Sequence, residues 1–131
     1  MANVEEIFGL AAGKVWNALA KNTKLQEQKL IEECNIPANH VYGAIGWLAR
    51  ENKIRKEAKE YLLAETNLVD TIGTKAGTVW NTLNNSGATD VNSIKKYTKF
   101  TTAEIYQALG WLAREGKIER VPTKRETYKL K

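Results

Sequence analysis

The sequence contains one cysteine, one histidine, one methionine and two prolines in 131 residues. A single cysteine, Cys34, excludes an internal disulfide framework and fits a reducing compartment such as the cytoplasm. Cys34 and His40 cannot supply the nitrogen and sulfur shell of a structural zinc site. Lying in one short stretch with no third group to orient them, they also make a poor Cys–His catalytic pair. No metal, cofactor or enzymatic activity is expected. No apolar run approaches the roughly 20 residues needed to cross a bilayer. The acidic start, Met1-Ala2-Asn3-Val4-Glu5-Glu6, lacks the basic-then-apolar order of a secretory signal.

Hydrophobic residues make up 43% of the chain and charged residues 27%, the balance of a soluble globular protein. The net charge is +5 and the pI about 9.3, which favours an anionic partner. The excess is uneven: residues 1–64 hold 9 basic and 8 acidic side chains, whereas residues 65–131 hold 11 and 7.

Shifting the sequence by 64 positions lays residues 3–54 over residues 67–118 without a gap, giving 18 identities in 52 positions. Gly9-x-x-Ala12-Gly13-x-Val15-Trp16-Asn17-x-Leu19 returns as Gly73-x-x-Ala76-Gly77-x-Val79-Trp80-Asn81-x-Leu83. Tyr42-x-Ala44-x-Gly46-Trp47-Leu48-Ala49-Arg50-Glu51-x-Lys53-Ile54 returns as Tyr106-x-Ala108-x-Gly110-Trp111-Leu112-Ala113-Arg114-Glu115-x-Lys117-Ile118. The chain therefore divides into two units, residues 1–64 and 65–131. Each is near the lower size at which a domain folds alone. Only Ala64-Glu65-Thr66 separates them, so the units are expected to pack as one rigid body sharing apolar contacts.

Periodicity predicts three helices and a hairpin in each unit. Helix 1 is expected over Ala12–Ala20 and Ala76–Asn84, with Trp16 and Trp80 in its core stripe. Helix 2 is expected over Gln26–Cys34 and Val91–Thr98, with Cys34 a small buried hydrophobe. Helix 3 is expected over Ala38–Glu51 and Thr102–Glu115, facing inward through Val41, Ile45 and Leu48 or Ile105, Leu109 and Leu112. Thr101 and Glu104 read as a capping box, while Pro37 suits the first helical position of the first copy. Asn52 and Gly116 stop the helices. Hairpins follow, Lys53–Glu57 with Glu60–Ala64 and Lys117–Val121 with Glu126–Lys131.

This order gives a mainly α fold with small β-hairpins, a tandem winged helix-turn-helix. The string Ala-Gly-x-Val-Trp, followed by Ala-x-Gly-Trp-Leu-Ala-Arg-Glu, resembles a small prokaryotic winged-helix family of unassigned function. Both copies carry it, at Ala12–Trp16 with Ala44–Glu51 and at Ala76–Trp80 with Ala108–Glu115. The resemblance implies the winged-helix fold over nearly the whole chain.

The outward stripe of helix 3 is small: Asn39, Gly43, Gly46 and Arg50 in one copy, Ala103, Gln107, Gly110 and Arg114 in the other. Asn39 and Gln107 suit adenine, and Arg50 and Arg114 suit guanine or phosphate, but glycines read nothing. Three explanations compete: a DNA binder of weak preference, close helix–helix packing, or local room for Trp47 and Trp111. The cations are better placed. Lys95, Lys96 and Lys99 precede Thr101 and Thr102 at the start of helix 3, and Arg114, Lys117, Arg120, Lys124 and Arg125 continue into the second wing. Arg50, Lys53, Arg55, Lys56 and Lys59 run along the first hairpin, but Glu32 and Glu33 stand where the second copy has Lys96 and Tyr97. The expected function is binding of double-stranded DNA with modest specificity, in a transcriptional regulator or nucleoid-associated protein of the cytoplasm. The alternative is an adaptor that holds a protein partner, or itself, through Trp47, Trp111, Gly43, Gly46 and Gly110.

Overall fold

The computed structural model describes residues 3–131; Met1 and Ala2, with which the first expected unit opens, lie outside the described residues. Helix α1 runs Val4–Asn22 and starts eight positions before the expected Ala12. The Asn3 side chain accepts the Glu6 amide at 2.8 Å, and Glu5 and Glu6 place negative charge in the first turn. The second copy begins differently, with a π-helical turn over Val69–Gly73 leading into α4, Thr74–Ser86. Asn67, the counterpart of Asn3, is engaged elsewhere. It accepts from the Lys56 amide at 3.0 Å and donates to the Lys56 carbonyl at 2.7 Å.

Helices α2 (Glu27–Cys34), α3 (Ala38–Arg50), α5 (Val91–Thr98) and α6 (Thr102–Arg114) fall within a residue of expectation. The Thr101–Glu104 capping box is formed. Pro37 caps α3 instead of opening it, because its ψ of 140° is extended. Asn52 (φ 62°) and Gly116 (φ 69°) end the runs that contain α3 and α6 in the left-handed region. In chain order the strands are β1 (Lys24–Gln26), β2 (Ile54–Glu57), β3 (Glu60–Leu63), β4 (Thr89–Asp90), β5 (Ile118–Val121) and β6 (Thr127–Leu130). β1 and β4 were outside the sequence expectation, being too short to show a period. Each completes a three-stranded antiparallel sheet, in the orders β1-β3-β2 and β4-β6-β5, with Leu25 opposite Tyr61 and Thr89 opposite Tyr128.

Two apolar cores result, and both cross the junction. The first gathers Val15, Leu19, Leu30, Val41, Ile45, Leu48, Ile54 and Tyr61, with Cys34 buried at its margin, and is completed by Leu68 and Ile72 from the second copy. The second gathers Val79, Leu83, Ile94, Ile105, Leu109, Leu112, Ile118 and Tyr128, completed by Val4 and Phe8 from the first. Val4 and Leu68, like Phe8 and Ile72, are equivalent under the 64-residue shift, so the copies exchange the starts of their first helices. Trp16 corrects the sequence reading. It is 45% exposed, because Val4, Phe8, Ala11, Val15 and Ala18 take the inner face of α1 and leave the indole at its edge. Trp80 is half-buried.

The glycines in the outward stripes of α3 and α6 are buried where the two helices meet. Gly46 lies on the Gln107 carbonyl, Gly110 lies on the Gly43 carbonyl, and the Phe8 ring covers Gly43. Close helix packing accounts for the glycines of the stripe, and the second helix belongs to the same chain, while Trp47 and Trp111 fold locally over Gly9 and Gly73 at the starts of the first helices. Gly43, Gly46 and Gly110 are accordingly not a surface for another molecule, contrary to expectation.

Candidate nucleic-acid interface

Lys95 and Lys96 occupy the last turn of α5, where their charge complements the helix dipole. Lys99 caps that helix in the left-handed conformation, with φ 64°. Lys95 Nζ reaches toward Thr102 Oγ1, at 3.5 Å, which brings the end of α5 to the start of α6. Lys124 and Arg125 sit at the bend between β5 and β6. All five cations are exposed, and among the described residues none has a carboxylate ion-pair partner.

Arg125 and Thr102 share a depression of about 280 Å³ with Asn39, Asn92, Asp90 and Glu126. The wing tip, the α6 start and the α3 start thus meet on one surface. The two carboxylates in it hold hydrogen bonds, although Asp90 Oδ2 is buried without a partner among the described residues. Asp90 accepts from the Ser93 hydroxyl at 2.6 Å, and that bond, aided by the nearby Arg125 charge, holds it below the usual carboxylate range. Glu126 accepts from Arg120 at 2.7 Å and from the Tyr128 hydroxyl at 2.6 Å. Beneath them burial pushes the Tyr106 phenol up to about 12, so it stays neutral.

The first wing is partly neutralised by its own acids, with Lys56 and Lys59 left without carboxylate partners among the described residues. Arg55 and Lys24 converge on Glu57 at 3.1 and 3.4 Å, hydrogen bonds that lower the Glu57 pKa. Lys53 pairs with Glu51 at 3.6 Å, and Lys56 lies 5.3 Å from the centre of the Tyr61 ring. Glu32 and Glu33 are exposed on α2.

The helix 3 arginines form a reciprocal cluster. Arg50 donates to Glu115 and Arg114 donates to Glu51, each at 2.9 Å, while Arg50 lies 5.9 Å from the Trp111 ring and Arg114 5.8 Å from the Trp47 ring. Gln107 lines a depression with the buried Tyr61, Thr101 is occupied by its capping box, and Lys117 pairs with Glu115 at 3.3 Å. Of the residues expected to meet DNA, the structure brings Lys95, Thr102, Arg125 and Asn39 onto one surface, with Lys96, Lys99 and Lys124 beside them in the chain. Arg50, Lys53, Arg114 and Lys117 gather around the ends of α3 and α6, while Arg55 and Lys56 stay on the first wing and Arg120 is tied to Glu126. Asn92 was missed, for a lone asparagine on a short helix carries no sequence signal.

A family model described as a winged helix-turn-helix domain (DUF2582) matches residues 3–67 and again residues 66–129. No curated protein matches the chain. Among solved structures, the mRNA-binding domain of elongation factor SelB from E. coli, in complex with SECIS RNA, aligns over 92% of this chain and 97% of that one, at 14% identity and a TM-score of 0.38. Among the described residues no helix is long and apolar enough to cross a membrane.

Proposed function

Because the chain belongs to the winged helix-turn-helix (DUF2582) family, we propose that it binds nucleic acid, and that its ligand is double-stranded DNA contacted through the second copy. The observation that carries this reading is the set of five cations without carboxylate partners, Lys95, Lys96, Lys99, Lys124 and Arg125, around the α5–α6 turn and the second wing. Unpaired cations are the ones that gain most from meeting phosphate, since no internal ion pair must first be broken. With Gly43, Gly46 and Gly110 held between α3 and α6 and the Gln107 side chain beside Tyr61 of the first sheet, the major groove receives no recognition stripe. Contact is therefore with the phosphate backbone, which positions a protein without reading sequence. A transcriptional regulator of modest specificity or a nucleoid-associated protein fits that mode.

Binding to random duplex DNA should weaken with salt at a logarithmic slope of about −0.9 per phosphate contact, so five contacts give roughly −4 to −5. A flat salt response would remove the proposal. The adaptor reading draws on one observation, the exposure of Trp16 beside the half-buried Trp47, with the half-buried Trp80 and Trp111 at the equivalent places of the second copy. It predicts binding to a protein with no salt-dependent affinity for duplex.

A further inference from the structure

Most of the 18 identities between the copies have a structural reason. Ala12, Val15, Leu19, Ala44, Leu48, Ala49 and Ile54, with their counterparts, fill the two cores. Gly46, Arg50 and Glu51, with theirs, build the contact between α3 and α6. Gly13 and Gly77 have no such reason. Each sits inside a helix with nothing within 4 Å of where a Cβ would stand, so the fold keeps an unfavourable helix residue twice without using it.

One turn earlier the same backbone is occupied. The Trp47 ring edge lies 3.4 Å from a Cβ built on Gly9, and the Trp111 ring edge 3.1 Å from one built on Gly73. Glycine in this helix is thus a seat for a flat ring, and at Gly13 and Gly77 the seat is empty. Around each seat runs a groove, about 210 Å³ between Trp16 and Trp47 and about 320 Å³ between Trp80 and Trp111. These lie at or below the low end of small-molecule sites, roughly 300–1,000 Å³, and suit a single ring. All four tryptophans of the chain line these two grooves.

The rims carry charge. Glu51 is shared by Lys53 at 3.6 Å and Arg114 at 2.9 Å, and Glu115 by Lys117 at 3.3 Å and Arg50 at 2.9 Å. Two cations per carboxylate leave one positive charge in excess at each groove. Because Arg50 precedes Glu51 and Arg114 precedes Glu115, the grooves adjoin through this cluster.

We propose that each groove seats one unpaired base of a nucleic acid strand, its ring against Gly13 or Gly77 between the two tryptophans, its phosphate at Lys53 and Arg114 or at Lys117 and Arg50. A planar ring on an anionic backbone, repeated along a polymer, supplies what two adjoining grooves of this composition accept. The inference rests on the nucleic-acid reading above and adds a single-strand contact separate from the lysine surface.

The test uses the full chain and a short oligothymidylate at low salt, followed by tryptophan emission, alongside random duplex. Oligothymidylate should quench the emission. The double variant Gly13→Leu/Gly77→Leu places side chains in open space, so it should melt no lower than the parent. It should nevertheless bind the single strand about tenfold or more weakly, in line with base–aromatic stacking, while keeping its duplex affinity. Lys53→Glu/Lys117→Glu, which leaves the seats open, should weaken the single strand as well. Undiminished single-strand binding by the leucine variant, with duplex binding intact, overturns this inference and leaves the duplex reading standing. Failure of the parent to bind either ligand overturns both. A parent of twice the chain mass that the leucine variant converts to a monomer, with no single-strand binding, would make the grooves a self-association surface instead.

Discussion

Gly46 lies directly on the main-chain carbonyl of Gln107, with no room for even a methyl group between the two helices. The reciprocal contact, Gly110 on the Gly43 carbonyl, follows from the 64-residue repeat, so the tightest point of the molecule is duplicated about an internal pseudo-twofold. Gly46→Ala must separate α3 from α6. Overpacking against backbone should destabilise by about 3 kcal/mol or more, at the upper end of such changes. Gly13→Ala, at the same residue type in an equally helical setting, should stabilise by about 0.5–1 kcal/mol. Denaturant titration of the two variants gives opposite signs if the glycines serve as described.

The exchanged helix starts make each copy depend on the other. Phe8→Ala removes a ring from the second core and uncovers Gly43, and should cost about 3–5 kcal/mol. Unfolding should remain a single transition seen equally by probes in either copy. Relaxation measurements that assign the two copies different tumbling rates would contradict the shared cores.

Charge reversal at Lys95, Lys96 and Lys99 should weaken duplex binding far more than reversal at Arg55, Lys56 and Lys59. The first set lies together at the α5–α6 turn and lacks carboxylate partners, while in the second Arg55 is already bound to Glu57, Lys56 leans on Tyr61 and Lys59 alone stands free on its wing. Loss of three phosphate contacts should reduce the salt slope by about 3, equally on random and natural duplexes. Gln107→Ala should change random-duplex affinity little. A larger effect from the first-copy set would move the interface to the other wing.

Glu104 closes the α6 capping box and pairs with Lys75, whose hydrogen bond is the main reason its carboxyl titrates below the ordinary range. A lowered folded pKa stabilises the native state above the unfolded value, about 4.3, and the gain disappears as pH falls through the folded value. Glu104→Gln keeps a capping side chain but loses the charge. It should melt below the parent at pH 7, by an amount corresponding to about 1 kcal/mol or less for a half-buried surface pair, and the gap should close on acidification. A gap that persisted in strong acid would assign the effect to the cap alone.

Cys34 is buried, and burial raises its thiol pKa, so little nucleophilic thiolate forms near neutral pH. Nucleic-acid binding should be unaffected by mild oxidants. A Cys34→Ser variant that retained fold and binding but lost an oxidant response of the parent would show otherwise.

The winged-helix order was readable because helices 2 and 3 bear dense apolar repeats and clear ends, such as the Thr101–Glu104 box and Gly116. The early start of α1 was not, since Val4 and Phe8 address the other copy and a local stripe beginning at Ala12 omits them. Trp16 was misread for a related reason: its position fits a helical stripe, but the inner face is centred on Phe8, Val15 and Leu19. The small stripe of α3 announced a close approach by something, and only the fold identified that neighbour as α6. Among the candidate site residues, lysine clustering was visible in the sequence, whereas the engagement of Arg50 and Arg114 depends on carboxylates 65 and 63 residues away.

The crossed cores also set an order of events during synthesis. When the first copy has been made, its interior is still open where Leu68 and Ile72 will sit, and its own Val4 and Phe8 have nothing to cover. Closure of the first half therefore waits on the start of the second, and the N-terminal turns of α1 remain apolar and unsheltered until the C-terminal core assembles beneath them. A chain arrested after Ala64 should accordingly display sticky surface that the finished protein does not, and its release from that state is timed by the growth of its own second half.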